Sequence, residues 1–375
     1  MDSMSSREIE FMKLALKEAG KGVGRTSPNP AVGAVIVKNG LIVGKGYHKR
    51  AGTPHAEIHA LNAAGDQTKN STLYVTLEPC NHTGRTPPCT EAILKSGIRR
   101  VVVGMNDPNP GVAGGGCEFL SAHGLFVTSG VLKDACEKIN RPFIKHITTG
   151  LPWVIIKAGI SLDGRIAART GESGWITNDL SRQEVHRIRN KTDAIMIGIG
   201  TALSDDPSLT TRLPVKKGRD PLRVILDTHL RLNPDAKMLQ QSSNAETFVF
   251  CGTDPSEPKA RALKAAGAQI KKVGLTPEGH VDIRDVLTEL GRSGITSVLV
   301  EGGSRIHGAL LRSGLVDQAF FFVAPLFIGC DGVPLVDELG TKTIKTAQRM
   351  RMTRSRRFGE DVLIEGLFDI THSNA

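Results

Sequence analysis

Aromatic side chains are scarce in this chain: two Trp, two Tyr and 12 Phe among 375 residues, 4% in all. A base-stacking platform for single-stranded nucleic acid is therefore poorly supplied, which argues against nucleic acid as a partner. Six cysteines are too few for a disulfide scaffold and fit a reducing cytoplasm. No apolar run approaches the roughly 18 residues of a membrane span. Met1 to Lys13 carries Arg7 but no apolar h-region, so no signal peptide is expected. There is no internal repeat and no low-complexity segment. A Gly-x-Gly-x-x-Gly fingerprint is missing too: Gly198-x-Gly200 follows a predicted strand, but Leu203 stands third, so a Rossmann domain is not supported.

What is present describes an ordinary globular protein, 39% hydrophobic and 23% charged, long enough for two domains. The net charge is +10, with +6 on residues 1–146 and +4 on the rest. A spread excess suits a phosphorylated small molecule better than a polyanion.

The stretch Pro54–Cys89 organises the first half. It holds His55-Ala56-Glu57 and, 22 residues after Glu57, Pro79-Cys80, with Cys89 closing the set. One imidazole and two thiols are the three protein ligands of a catalytic zinc site, whose fourth position is left to water. Zinc brings the pKa of a bound water towards about 7, and a neighbouring carboxylate, here Glu57, then carries protons. The zinc-deaminase signature is His-x-Glu with Pro-Cys-x-x-Cys; the spacing here is Cys-x8-Cys. A structural zinc site, with His82, His59 or Cys117 as fourth ligand, is the alternative reading, and unrelated core cysteines a weaker one.

Around this stretch the pattern alternates strands and helices, an α/β layer structure. Ser5-x-x-Glu8 reads as a capping box before a helix ending at Gly20. Val32–Val37 and Leu41–Gly46 flank an Asn39-Gly40 hairpin turn. Helices are expected over Ala56–Ala64 and Thr90–Ser96, strands over Thr72–Thr76 and Arg99–Gly104. Asn29, between Pro28 and Pro30, offers a stiff amide for a heterocycle edge or a plain turn cap. Arg85 is a candidate phosphate clamp or a solvated loop residue. Turn formers at Arg141-Pro142 and Thr148–Pro152 place the domain boundary near 141–152.

The second half continues with strands over Trp153–Ala158, Ala194–Ile199, Leu222–Leu226, Thr247–Phe250, Ser297–Val300 and Gln318–Ala324. Helices are expected over Asp179–Arg189, Asp282–Leu290 and Arg305–Ser313. Glu301-Gly302-Gly303-Ser304 joins a strand to a helix, either a phosphate cradle or an ordinary turn.

Taken together these residues resemble the bifunctional deaminase–reductases of bacterial riboflavin biosynthesis. The resemblance covers nearly the whole chain. It rests on Ser27–Gly33, His55-Ala56-Glu57 and Thr76–Cys89, where the long Cys-x8-Cys spacing is the family's own. It rests also on Lys157–Gly164, Gly171–Thr177, Asp205–Thr210 and Glu301-Gly302-Gly303. It implies a cytidine-deaminase-like three-layer domain over 1–146 and a dihydrofolate-reductase-like domain over 151–375. It implies zinc on His55, Cys80 and Cys89 with Glu57 as proton shuttle, and NADPH as second cofactor. NADPH would lie near Gly159, Trp175, Thr201, Asp205 and Thr228, with its phosphates held by Gly303, Ser304, Arg305, Ile306, His307, Gly308 and Ala309. Ser173, Arg189, Leu209, Arg212 and Glu301 would face a phosphorylated pyrimidine, with Asp205 or Glu301 as proton donor. It also implies a homo-oligomer. A nucleic-acid deaminase with an appended domain and a non-catalytic metal-stabilised binding protein are the rival readings.

Overall fold

The β-branched run Gly33–Lys38 (β1) is buried along nearly its whole length and turns at Asn39-Gly40, both at positive φ, into Leu41–Tyr47 (β2). The computed structural model describes residues 6–82, 87–110, 115–174, 176–214 and 218–368, and these form two compact units meeting at Leu151 and Pro152.

The first unit is one five-stranded sheet completed by Thr72–Leu77 (β3), Arg100–Met105 (β4) and Phe126–Thr128 (β5), in the order β2-β1-β3-β4-β5. β1 runs antiparallel to β2 and β3, while β3, β4 and β5 are parallel. Its helices are Ser6–Ala19 (α1), Ala56–Ala64 (α2), Cys89–Lys95 (α3), Gly116–Ala122 (α4) and Lys133–Thr149 (α5). α2 lies directly on β2 because two glycines there have no side chain. A Cβ on Gly46 would stand 2.3 Å from the Ala56 carbonyl oxygen, and one on Gly44 2.3 Å from that of Ala60. Ser5 of the expected capping box lies outside the described residues.

The region around Arg141-Pro142 is not a turn. α5 runs through Pro142 to Thr149, and Gly150 in the left-handed conformation closes it. Cys136, Asn140 and Phe143 are its buried stripe, and the Asn140 amide holds both backbone groups of Ala31. That tertiary anchoring outweighs the hydrogen bond a proline forfeits inside a helix.

The second unit has a nine-stranded sheet. Its strands in chain order are Trp153–Ser161 (β6), Ala194–Gly198 (β8), Leu222–Leu226 (β9), Thr247–Cys251 (β10), Ala268–Lys272 (β11), Ser297–Val300 (β12), Gln318–Ala324 (β13), Met350–Phe358 (β15) and Asp361–Phe368 (β16). Arg165–Ala167 (β7) and Val333–Pro334 (β14) form a separate small ribbon. The sheet order is β11-β10-β9-β8-β12-β6-β13-β16-β15, with the first seven parallel and the last two antiparallel additions. Asp179–Arg189 (α6), Ile199–Asp205 (α7), Lys237–Gln240 (α8), Glu257–Ala265 (α9), Ile283–Arg292 (α10) and Ser304–Arg312 (α11) connect the strands. The inner parallel strands β8, β9, β10 and β12 are largely apolar and buried, as sheets covered on both faces require. Their carboxyl ends share one edge, where ligands of open α/β sheets bind. Among the described residues no helix is long and apolar enough to cross a membrane.

Candidate active sites

In the first unit His55 caps α2 with an extended backbone and makes no capping bond, so its imidazole is free to turn towards the thiols. Cys89 begins α3 and Cys80 follows β3. His55 Nδ1 lies 3.2 Å from Cys89 Sγ and 3.5 Å from Cys80 Sγ, and the Cys89 amide donates to Cys80 Sγ at 3.4 Å. All three donor atoms lie within 4.8 Å of one another, and among the described residues no fourth His, Cys or carboxylate joins them. A bond from the Cys89 thiol holds Cys80 down to about 4, and the same bond, with burial, pushes Cys89 far up. Two sulfurs and an imidazole converging on one point are the donor chemistry zinc takes, and a cation there would have both sulfurs as thiolates.

Glu57, on the first turn of α2, is 3% exposed and its Oε2 is buried without a hydrogen-bond partner. Burial pushes its carboxyl up to about 6, against the pull of His55. An unpartnered buried carboxylate oxygen beside a three-donor cluster fits a site built for an ion and the water it carries.

Asn29 reaches the same site through His48. Asn29 Nδ2 donates to His48 Nε2 at 3.1 Å, so His48 Nδ1 carries the proton it gives to the Pro54 carbonyl at 3.2 Å. The His48 ring stands edge-on to His55, centroids 5.4 Å apart. His48 was invisible as a site residue in the sequence because both its partners are set by folding. Glu78 is a second such residue: its carboxylate accepts from the Asp107 and Cys117 amides at 3.1 and 2.9 Å, tying the strand before Cys80 to α4. Arg85 lies outside the described residues.

In the second unit a cavity of about 1690 Å³ runs along the carboxyl edge of the sheet. Of the positions singled out from the sequence, Gly159, Ser173, Thr201, Asp205, Thr228, Glu301, Gly303, Ser304, Arg305, Ile306 and Ala309 line it. His307 and Gly308 do not. His307 is fully buried, its Nδ1 bonded to the Leu335 carbonyl at 3.1 Å, while Gly308 sits beside Asp337 and Arg312, which themselves line the cavity. Leu209 is 3% exposed and belongs to the apolar core under β8–β10. Trp175 lies outside the described residues.

Arg189 does not line the cavity; it acts through Glu301. Its Nε meets Glu301 Oε1 at 2.6 Å and its Nη2 meets Oε2 at 3.0 Å, while Lys157 Nζ reaches Oε2 at 2.8 Å. Burial alone would raise the Glu301 pKa, but Arg189 and Lys157 outweigh it and hold the carboxyl well below the usual range. Held by two cations, the Glu301 carboxylate is placed to accept hydrogen bonds. Lys157, inside a motif quoted above yet not singled out, is the ammonium at this wall. Arg212 stands on the neighbouring loop, its amide on His186 Nδ1 at 3.3 Å.

The cavity fits a dinucleotide. Ser304 Oγ, at the amino end of α11, is buried and unpartnered, and a Cβ on Gly303 would meet only Thr201 Oγ1, at 3.8 Å. An open glycine and a free hydroxyl at a helix N-terminus suit a phosphate.

A deaminase-type metal cluster on one unit and a ligand-binding cavity at a parallel sheet edge on the other define a two-domain enzyme, a zinc-binding deaminase joined to a reductase. The cytidine and deoxycytidylate deaminase zinc-binding region matches residues 5–105, and the RibD C-terminal domain matches residues 152–364. The chain is 40% identical to the riboflavin biosynthesis protein RibD of Escherichia coli (strain K12), covering 94% of this chain and 97% of that one. It is 42% identical to the RibD of Aquifex aeolicus, over 96% and 98%. Among solved structures it is similar to Acinetobacter baumannii RibD, with 34% identity, TM-score 0.87 and coverage of 97% and 99%. It is also similar to a Thermotoga maritima diaminohydroxyphosphoribosylaminopyrimidine deaminase/5-amino-6-(5-phosphoribosylamino)uracil reductase, with 36% identity, TM-score 0.85 and the same coverage. The chain belongs to the RibD family of bifunctional riboflavin-biosynthesis deaminase–reductases.

Proposed function

We propose that the first unit removes the 2-amino group of 2,5-diamino-6-ribosylamino-4(3H)-pyrimidinone 5′-phosphate, and that the second reduces the product's ribosyl group to ribityl with NADPH. The observation that carries the reading is the buried, unpartnered Glu57 Oε2 beside the His55, Cys80 and Cys89 donors.

Those three residues would hold the zinc. When bound, the ion acidifies a water and so supplies the nucleophile at neutral pH. Glu57 takes the proton of the attacking water and passes it to the departing amine; a carboxyl near about 6 exchanges protons readily at neutral pH. Asn29, its Nδ2 engaged by His48, presents Oδ1 to a donor on the pyrimidine edge. Burial lowers the His48 pKa, which keeps that pair neutral.

In the second unit Gly159, Thr201, Asp205, Thr228 and the Gly303–Ile306 turn, with Ala309, would hold NADPH, whose hydride performs the reduction. Glu301 accepts hydrogen bonds from the sugar hydroxyls, and Lys157 offers a proton at the same wall. Arg189 keeps Glu301 in place, and Arg212 suits the substrate phosphate. The protein's thiols are all unbridged, in keeping with a cytoplasmic enzyme.

The test is incubation with the diamino pyrimidine phosphate, with and without NADPH, and identification of products by mass. Loss of the amine without NADPH and a further gain of two hydrogens with it are expected. Ammonia release from tRNA or single-stranded DNA, with none from the pyrimidine, would favour the nucleic-acid reading instead.

A further inference from the structure

Among the described residues between α7 and β9 there is neither helix nor strand, yet the backbone is pinned. Leu209 turns it through a left-handed conformation, φ +52°, with its side chain sunk in the core. Residues 210–212 are then held one after another. The Thr210 carbonyl accepts from Arg189 Nη1 at 2.9 Å, the Thr211 amide donates to Asp220 Oδ1 at 2.7 Å, and the Arg212 amide donates to His186 Nδ1 at 3.3 Å. His186 and Arg189 stand three residues apart on α6, so one face of that helix supplies two of the grips.

Those two grips have opposite sense. Arg189 donates to a carbonyl, whereas His186 accepts from an amide, so the Nδ1 it presents carries no proton. The charged groups around the ring are Arg189 on α6, Arg212 on the loop, Lys157 on β6 and Glu301 after β12. Three are cations, which together with burial keep the ring uncharged against the pull of Glu301.

What is held is the backbone under an exposed cation. The Arg212 side chain reaches only a neutral hydroxyl, Nη1 to Thr210 Oγ1 at 3.3 Å, and among the described residues no carboxylate pairs with it. A carboxylate in place of His186 would accept from the same amide, but it would also neutralise that guanidinium and compete with an incoming phosphate. A neutral imidazole fixes the backbone and leaves the charge to the ligand. Arg189 joins this loop to the cavity wall, since the guanidinium that holds Thr210 also clasps Glu301.

We propose that His186 is a positioning residue for the reduction: by accepting from the Arg212 amide, it aims that guanidinium at the phosphate of the pyrimidine substrate. This rests on the reading of Arg212 as the phosphate-binding side chain.

The experiment is steady-state reduction of the pre-deaminated substrate by the full chain at saturating NADPH, with the 5′-phosphate present and with it removed. His186→Leu keeps bulk and deletes the acceptor, His186→Asn keeps an acceptor, and Arg212→Ala deletes the cation. His186→Leu is expected to raise KM for the phosphorylated substrate about tenfold with kcat within about twofold, and to move kcat/KM for the dephosphorylated one by less than about twofold. His186→Asn is expected to bring KM back to within about threefold of wild type. If His186→Leu does not fold, His186→Met makes the same deletion with a more adaptable side chain. Wild-type KM in the acceptor-deleted variant, an equal loss on both substrates, or a His186→Asn enzyme no better than that variant overturns the positioning role. If Arg212→Ala leaves KM for the phosphorylated substrate unchanged, the phosphate reading falls and takes the positioning role with it. That outcome is distinct from a KM raised by Arg212→Ala but not by loss of the acceptor, which overturns the role of His186 alone.

Discussion

Arg189 closes a two-point clasp on Glu301, Nε to Oε1 at 2.6 Å and Nη2 to Oε2 at 3.0 Å, and Lys157 completes it from the cavity side. Two cations and one carboxylate share a site where side-chain exposure is 16% or less. Removing the anion leaves two buried positive charges facing each other. Glu301→Gln is therefore expected to destabilise the second unit by on the order of 3 kcal/mol at neutral pH. Its melting temperature should fall by roughly 5–10 °C, and reduction should be lost. Since the folded-state pKa is depressed, this stabilisation is present above the ordinary carboxylate pKa and fades as pH falls towards the folded value. Melting curves of wild type and variant at neutral and acid pH should converge on the acid side; a constant gap would show that the charge is not the cause.

Glu57→Gln keeps the shape of the side chain and removes the exchangeable proton. Deamination is expected to drop about 10²- to 10⁴-fold. Zinc content by elemental analysis should stay at wild-type level, and reduction of pre-deaminated substrate should continue. Full deaminase activity in the variant would remove Glu57 from the chemistry.

Much of this was legible beforehand where function is written locally. His55, Glu57, Cys80 and Cys89 are specified by residue type and spacing, and α2 falls on Ala56–Ala64, where the helix entered past Pro54 and His55 is expected. What could not be read depends on partners far along the chain. Asn140 makes Pro142 tolerable inside α5 by gripping Ala31, 109 residues away. His48 matters because Asn29 and Pro54 fold onto it. β15, rich in arginine and largely exposed, carries no apolar alternation, and its strand identity comes from pairing with β16.

His186 offers a pH handle on the substrate side of the second unit. Burial comes first and Arg189 and Arg212 add to it, lowering its pKa from 6.5 to about 4. The unfolded chain then binds a proton that the folded chain refuses between those two values, so stability should rise with pH across about 4 to 6.5. His186→Asn keeps an acceptor for the Arg212 amide but cannot titrate. After allowance for partial solvent screening, the wild type should lose ~1–2 kcal/mol more than the variant over that window. Parallel stability–pH curves from denaturant titration would refute the assignment.

The seat of α2 gives a prediction independent of any ligand. A methyl at Gly46 would lie 2.3 Å from the Ala56 carbonyl oxygen and 2.5 Å from the Ala60 amide, both backbone atoms that cannot rotate away. Gly46→Ala must therefore lift α2 from β2 or bend the strand, and His55 and Glu57 travel with the helix. Overpacking of this kind costs about 1–3 kcal/mol and more where the neighbour is backbone. Zinc retention and deamination are expected to fall together, by about tenfold or more, because α2 carries a metal donor and the proton carrier at once. Reduction of pre-deaminated substrate should persist, since β6–β16 form a unit with its own core. Elemental analysis and the two separate assays on one preparation decide the matter. Undiminished zinc and deamination in this variant would mean that α2 does not depend on the bare backbone beneath it.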